Sequence, residues 1–219
     1  MLNKYWLRLV FGLLIFTKMV YAQDSVNITA DRMEIIKKGE LNLFKENVKL
    51  SFRQVIITAD ELKHFIPQQK VEAAGDVRFV QQADSGEKLE ILSQKVVYDY
   101  KKQYCLVPCT STLFYIPENK PEERINLTSR ETEFFGEEKR ILAQGDIQAI
   151  YQQYQIQSGV LEYLEEAGKM VLTEQPKIYY QNEKSSAQYT GEKIIVLREE
   201  EKVIIEGDVK GIIYAKSKE

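Results

Sequence analysis

Residues 55–82 read VIITADELKHFIPQQKVEAAGDVRFVQQ, and the spacing of their apolar side chains decides the fold. Ile57 and Ala59 share one parity, while Leu62 and His64 fall on the other. Strand side chains alternate between faces, so a parity change at a small residue predicts a bulge or corner that re-aims the inward face. Pro67-Gln68-Gln69 then supply turn chemistry, and Val71 and Ala73 lead to Gly75-Asp76. Beyond it, Val77 and Phe79 flank Arg78, the alternation of a strand with one buried and one wet face. A glycine at position 75 permits a second corner with positive φ or a close approach.

Working outward, the same phrase recurs in six rows that start at Ile28, Ile57, Ile91, Leu127, Ile156 and Tyr189. Eighteen residues after each start stands a landmark: Glu46, Gly75, Cys109, Gly145, Glu174 or Gly207. A column of small residues follows each start (Ala30, Ala59, Ser93, Ser129, Ser158, Gly191), and then come two bulky columns. The first is Met33, Leu62, Val96, Thr132, Leu161 and Ile194; the second is Ile35, His64, Tyr98, Phe134, Tyr163 and Val196. Turns are predicted at Lys37-Lys38-Gly39, Pro67-Gln68-Gln69, Lys101-Lys102-Gln103, Gly136-Glu137-Glu138, Ala167-Gly168-Lys169 and Glu199-Glu200-Glu201. Helix competes only over 160–167, where Val160, Leu161 and Leu164 could share a face; the neighbouring columns favour strand there too. The expected fold is all-β, with bent rows stacked into two sheets that meet at an angle over a continuous apolar lining.

Composition narrows the functions open to such a fold. Residues 23–219 carry 27 basic and 33 acidic side chains, a net charge of −6, which argues against nucleic acid as a partner. One histidine (His64) and two cysteines leave too few soft ligands for the usual zinc sites, and no metal or other cofactor is assigned. No nucleophile elbow, phosphate loop or metal-binding helix motif occurs, so no catalytic residue is assigned and the chain is expected not to be an enzyme. The acidic pairs near positions 122, 137, 165 and 199 fall on tips or connections and read as solvated charges.

The N-terminus reads as an export signal. Lys4 and Arg8 precede the apolar run Leu9 to Phe16, and Val20-Tyr21-Ala22 ends in a small residue, which places cleavage between Ala22 and Gln23. The alternative is an uncut anchor, although Lys18 interrupts a run far short of the roughly 20 apolar residues that a span requires. The expected organisation is a signal peptide over 1–22 and one β domain over 23–219.

The phrases Ile28-Thr29-Ala30-Asp31 and Ile57-Thr58-Ala59-Asp60, answered by Asn47-Val48 and Gly75-Asp76-Val77, resemble the periplasmic lipopolysaccharide-transport proteins of the LptA/OstA and LptC group. The resemblance runs over residues 26–214, and its specificity comes from repetition at fixed spacing. It implies a twisted, V-shaped β-jelly roll that holds the acyl chains of lipid A inside. It also implies subunits stacked end to end as a bridge between inner and outer membranes, with homologous jelly-roll domains as partners. On that reading the inward columns form the lipid groove: Met33, Ile35, Leu50, Leu62, Val77, Phe79, Val96 and Tyr98, then Leu113, Phe134, Ile147, Leu161, Tyr163, Ile178, Ile194 and Val196. Without it, the same columns would read as an ordinary sandwich core.

No cap covers the last row, and a bare sheet edge invites another strand. The edge around Ile28 and Ala30 is therefore expected to pair with the edge of Val209, Ile213 and Tyr214 in a second copy. Rows three and five depart from the pattern, at Cys109-Thr110-Ser111 and Glu174-Gln175-Pro176, and a lateral gap is expected there. A Cys105–Cys109 disulfide would need a tight local turn, because residues four apart in a strand are about 13 Å apart. The rival readings are a membrane-anchored relay of the same pathway and a structural β-solenoid with a dry core.

Overall fold

In the computed structural model, the described residues are 25–83, 86–117, 124–181 and 185–215. The predicted signal peptide and its Ala22/Gln23 cleavage point lie outside them. Apart from one 3-10 turn at Lys37–Gly39, the regular structure is strand. In chain order the strands are β1 (Asn27–Thr29), β2 (Arg32–Ile36), β3 (Leu41–Phe52), β4 (Val55–Phe65), β5 (Lys70–Gln82) and β6 (Lys88–Asp99). The middle of the chain forms β7 (Tyr104–Val107), β8 (Ser111–Ile116), β9 (Ile125–Ser129), β10 (Glu131–Phe135), β11 (Arg140–Tyr151) and β12 (Tyr154–Leu164). The last are β13 (Lys169–Thr173), β14 (Lys177–Gln181), β15 (Ser185–Thr190), β16 (Lys193–Leu197), β17 (Lys202–Glu206) and β18 (Lys210–Ala215). The segment where helix competed belongs to β12 and the turn after it.

Every pairing is antiparallel, and the long strands take part in two half-sheets. The first runs β2-β3-β4-β5-β6-β7-β10-β11-β12-β13-β16-β17, using the halves of the long strands nearest the predicted tips. The second runs β1-β3-β4-β5-β6-β8-β9-β11-β12-β14-β15-β18 through their other halves. Six bent rows thus fold along one line of corners.

The corners have a repeating backbone solution. Register slips where Glu46-Asn47 oppose Asp60, where Gly75-Asp76 oppose Gln94 and where Gly145-Asp146 oppose Gly159. One extra residue on the returning strand bends it and sharpens its twist. That extra length is housed in a left-handed pair: Glu46-Asn47, Gly75-Asp76, Gly145-Asp146, Glu174-Gln175 and Gly207-Asp208 all have positive φ. Row three is the exception, since neither Cys109 nor Thr110 is left-handed. The facing strand pins the corner through its backbone: Asp31 N–H donates to Glu46 O (3.0 Å), Gly159 N–H to Glu174 O (2.9 Å) and Glu192 N–H to Gly207 O (3.0 Å). The side chain of Asn47 also donates to Asp31 at 2.6 Å.

At the tips, the rows are stitched by a second ladder that continues the sheet around the turns. Ile66 N–H donates to Glu40 O, Tyr100 to Gln69, Gly136 to Gln103, Glu165 to Lys139 and Arg198 to Gly168.

Candidate functional site

The inward columns meet in one apolar cluster between the half-sheets. Leu50, Leu62, Phe79, Val96 and Ile194 are fully buried, and Val77, Leu113, Ile147, Leu161 and Ile178 nearly so. Tyr98, Phe134 and Tyr163 are buried beside them, and Val196 is half-buried against the cluster. Arg78, placed outward by the strand parity, is exposed and pairs with Glu90 at 2.8 Å. Two residues of the expected groove differ: Met33 is 49% and Ile35 68% exposed. They sit on β2, which pairs with β3 on one side, and among the described residues no strand lies on its other side to cover them.

Through the middle rows, the half-sheets are drawn together by aromatic pairs at the ends remote from the corners. Phe52 of the second half-sheet meets Tyr100 at the tip of the first, with ring centroids 5.1 Å apart. Tyr115 on β8 meets Tyr163 on β12 at 5.7 Å. Arg198 donates to the Tyr163 hydroxyl (3.2 Å), and burial pushes that hydroxyl's pKa up. His64 shares a hydrogen bond with the Tyr100 hydroxyl at 3.0 Å, and burial lowers its imidazole pKa. Burial likewise raises the pKa of Glu165, with the carboxylate of Glu87 adding to the shift. Here the lining is a packed core.

Toward the C-terminal end the lining opens. Tyr154, Ile178, Tyr180, Tyr189, Val203 and Ile205 bound a cavity of about 360 Å³ on the inner side. Its floor is continuous with the buried columns, since Val203 and Ile205 pack against the same cluster. Of these residues, only Ile178 belongs to the groove expected from the sequence. Tyr154 and Tyr180 are partners across β12 and β14, with ring centroids 5.3 Å apart. Their alternation with Gln155 and Tyr179 was the available signal, but nothing in it marks where packing ends.

No family model matches the chain, and no curated protein matches it. Among solved structures, it is similar to one from Pseudomonas aeruginosa. That structure is LptH, the LptA-homologous periplasmic component of the conserved lipopolysaccharide transport device, at 10% identity and a TM-score of 0.26. The match covers 86% of this chain and 94% of that one.

The edges bear exposed apolar residues at both ends. Ile28 and Ala30 are half-buried at the β1 edge. On the last strand and just before it, Val209, Ile213 and Tyr214 are exposed, Ile213 at 68%. Both cysteines are free: Cys105 points into the core from β7, and Cys109 stands beyond the strand with its thiol 3.9 Å from Lys95 O. The extended course of β7 separates them, and burial raises the Cys105 thiol's pKa. At row five, the backbone bond from Gly159 to Glu174 spans the corner where a gap was expected. A cleft of about 780 Å³ lies against it, lined by Asp146, Ser158, Gly159 and Glu174 among others. Among the described residues, no three His, Cys, Asp or Glu side chains gather as a metal set.

Proposed function

We propose that this chain is a non-enzymatic, exported carrier of lipopolysaccharide or a related glycolipid. In this reading it receives acyl chains on its inner apolar surface in the periplasm and stacks head to tail as part of a bridge between the membranes. The observation that carries the reading is the C-terminal cavity, where an inner lining that is packed through the middle rows presents aromatic and aliphatic side chains to a space of about 360 Å³. Each acyl methylene taken out of water there gains about 0.8 kcal/mol. The cavity accommodates part of a chain as it stands, and a larger lipid would be admitted by parting the half-sheets where aromatic pairs join them. The six-row pattern and its resemblance to lipopolysaccharide-transport proteins supply the ligand class. Exposed Met33 and Ile35 at one end and Ile213 at the other support end-to-end association, because a second copy would continue both half-sheets and bury them.

Full burial of Leu50, Ile57, Phe79 and Ile91 favours a second reading, a structural β-solenoid with a dry core. Equilibrium binding of lipopolysaccharide to the purified protein, and to a Val203→Trp variant that fills the cavity, separates the two. The carrier reading expects saturable binding that weakens at least about tenfold, or about 1.4 kcal/mol, in the variant. Absence of binding, or equal binding by a folded variant, favours the structural solenoid.

A further inference from the structure

The outer face of the second half-sheet changes character along its length. Near β5 and β6 it is charged, with Arg78 and Lys88 both on Glu90 at 2.8 Å. At the other end, β12, β14, β15 and β18 bring Gln155, Tyr179, Gln188 and Ile212 into one cross-strand row. The next row places Gln181 opposite Ser186 and Ser186 opposite Tyr214. Between them is a pit of about 190 Å³ whose lining, among the described residues, carries no formally charged side chain. In a chain with 29% charged residues, a patch of amides, hydroxyls and three tyrosines is a chemically distinct surface.

We infer that this pit is a binding site for a neutral oligosaccharide. Each glutamine amide offers two donors and a two-lone-pair acceptor in one plane, the pattern that adjacent sugar hydroxyls complement. A tyrosine presents a flat apolar body with a polar tip, which suits the C–H face of a pyranose ring flanked by its hydroxyls. Tyr179 is half-buried between Gln155 and Gln188, so its ring is held in place, whereas Tyr214 is 60% exposed at the edge and can close over a ligand from the side. A concave site with few convergent polar groups confers orientation, and its described lining offers hydrogen-bonding groups rather than a counter-charge. This site shares only Tyr180 with the apolar cavity, because β14 turns Tyr179 outward and Ile178 inward.

The test is a glycan array carrying neutral, acidic and amino-sugar oligomers, probed with the intact protein and followed by titration with the best neutral oligomer. The expected result is millimolar or tighter binding to neutral oligomers, reduced at least tenfold by Tyr179→Ala and by Gln188→Ala. Val203→Trp, at a residue that lines the inner cavity and not the pit, should leave this binding unchanged, so failure of the lipid reading and failure of this one are distinguishable. Should Tyr179→Ala fail to fold, Gln188→Ala decides. Binding confined to acidic glycans would assign it to the flanking Lys177 and Lys210 and overturn the inference. So would the absence of neutral-glycan binding, or equal binding by the folded variants.

Discussion

Phe79 on one half-sheet and Tyr98 on the other meet edge to face, with ring centroids 5.5 Å apart. The contact joins the two arms of a row pair, and both rings are buried. Phe79→Ala would remove that bridge and leave a cavity where no neighbour can collapse fully. The expected loss is about 3–5 kcal/mol, read from the shift in urea midpoint. A loss below about 1 kcal/mol would mean that the arms are held by other means.

Gly75 has a φ of +73°, and a Cβ there would stand 2.3 Å from a carboxylate oxygen of Asp60. Gly75→Ala is therefore expected to cost about 1–2 kcal/mol for the left-handed backbone. The carboxylate can swing away, but the Asp60 Cβ, 2.9 Å from the same point, moves only with its backbone, so the clash adds to that cost. Equivalent corners at Glu46 and Glu174 already carry side chains in that conformation, which is why the variant should fold. Unchanged stability would remove conformational freedom as the reason for glycine here.

Burial lowers the folded-state pKa of His64 from its ordinary 6.5, so the folded protein binds its proton less readily than the unfolded chain does. The neutral ring's contribution is fully present above pH 6.5 and is lost as pH falls from that value toward the lowered folded pKa. In His64→Phe, an occupant already found in that column as Phe134, this part of the acid dependence should vanish. Urea midpoints of both proteins at pH 7.5 and 5.5 check it, and equal drops would refute it.

Self-association should require both ends. Light scattering of the purified protein is expected to show mass growing with concentration. Introducing Ile35→Asp and Ile213→Asp together should hold it at the monomer mass, because the joint would have to bury an unpaired carboxylate in each half-sheet. A wild-type mass independent of concentration would contradict edge pairing.

The rows were legible because a single period runs through six copies, and the parity change at Ala59, Ser93 and Ser158 marks a corner whatever lies beyond it. The glycine landmarks were legible for the same reason, but the left-handed pairs Glu46-Asn47 and Glu174-Gln175 were not. Their conformation is imposed by backbone bonds from Asp31 and Gly159, which residue type does not reveal. The inward columns looked alike from end to end, yet Leu50 is packed while Met33 and Ile35 are exposed. Alternation specifies which face a side chain takes, and only the presence of a further row decides whether that face is covered. Opening of the lining at Tyr154 and Tyr180 escaped the sequence because alternation does not report how closely the facing half-sheet packs.

Adjacent residues of β14 offer the most direct test of a lipid-carrying inner surface. A photo-crosslinking residue would be placed at Ile178, buried beside the cavity, and separately at Lys177, on the opposite face, and each protein irradiated with lipopolysaccharide. Capture at Ile178 and none at Lys177 is the predicted result. Capture at neither position, or equally at both, would contradict the account.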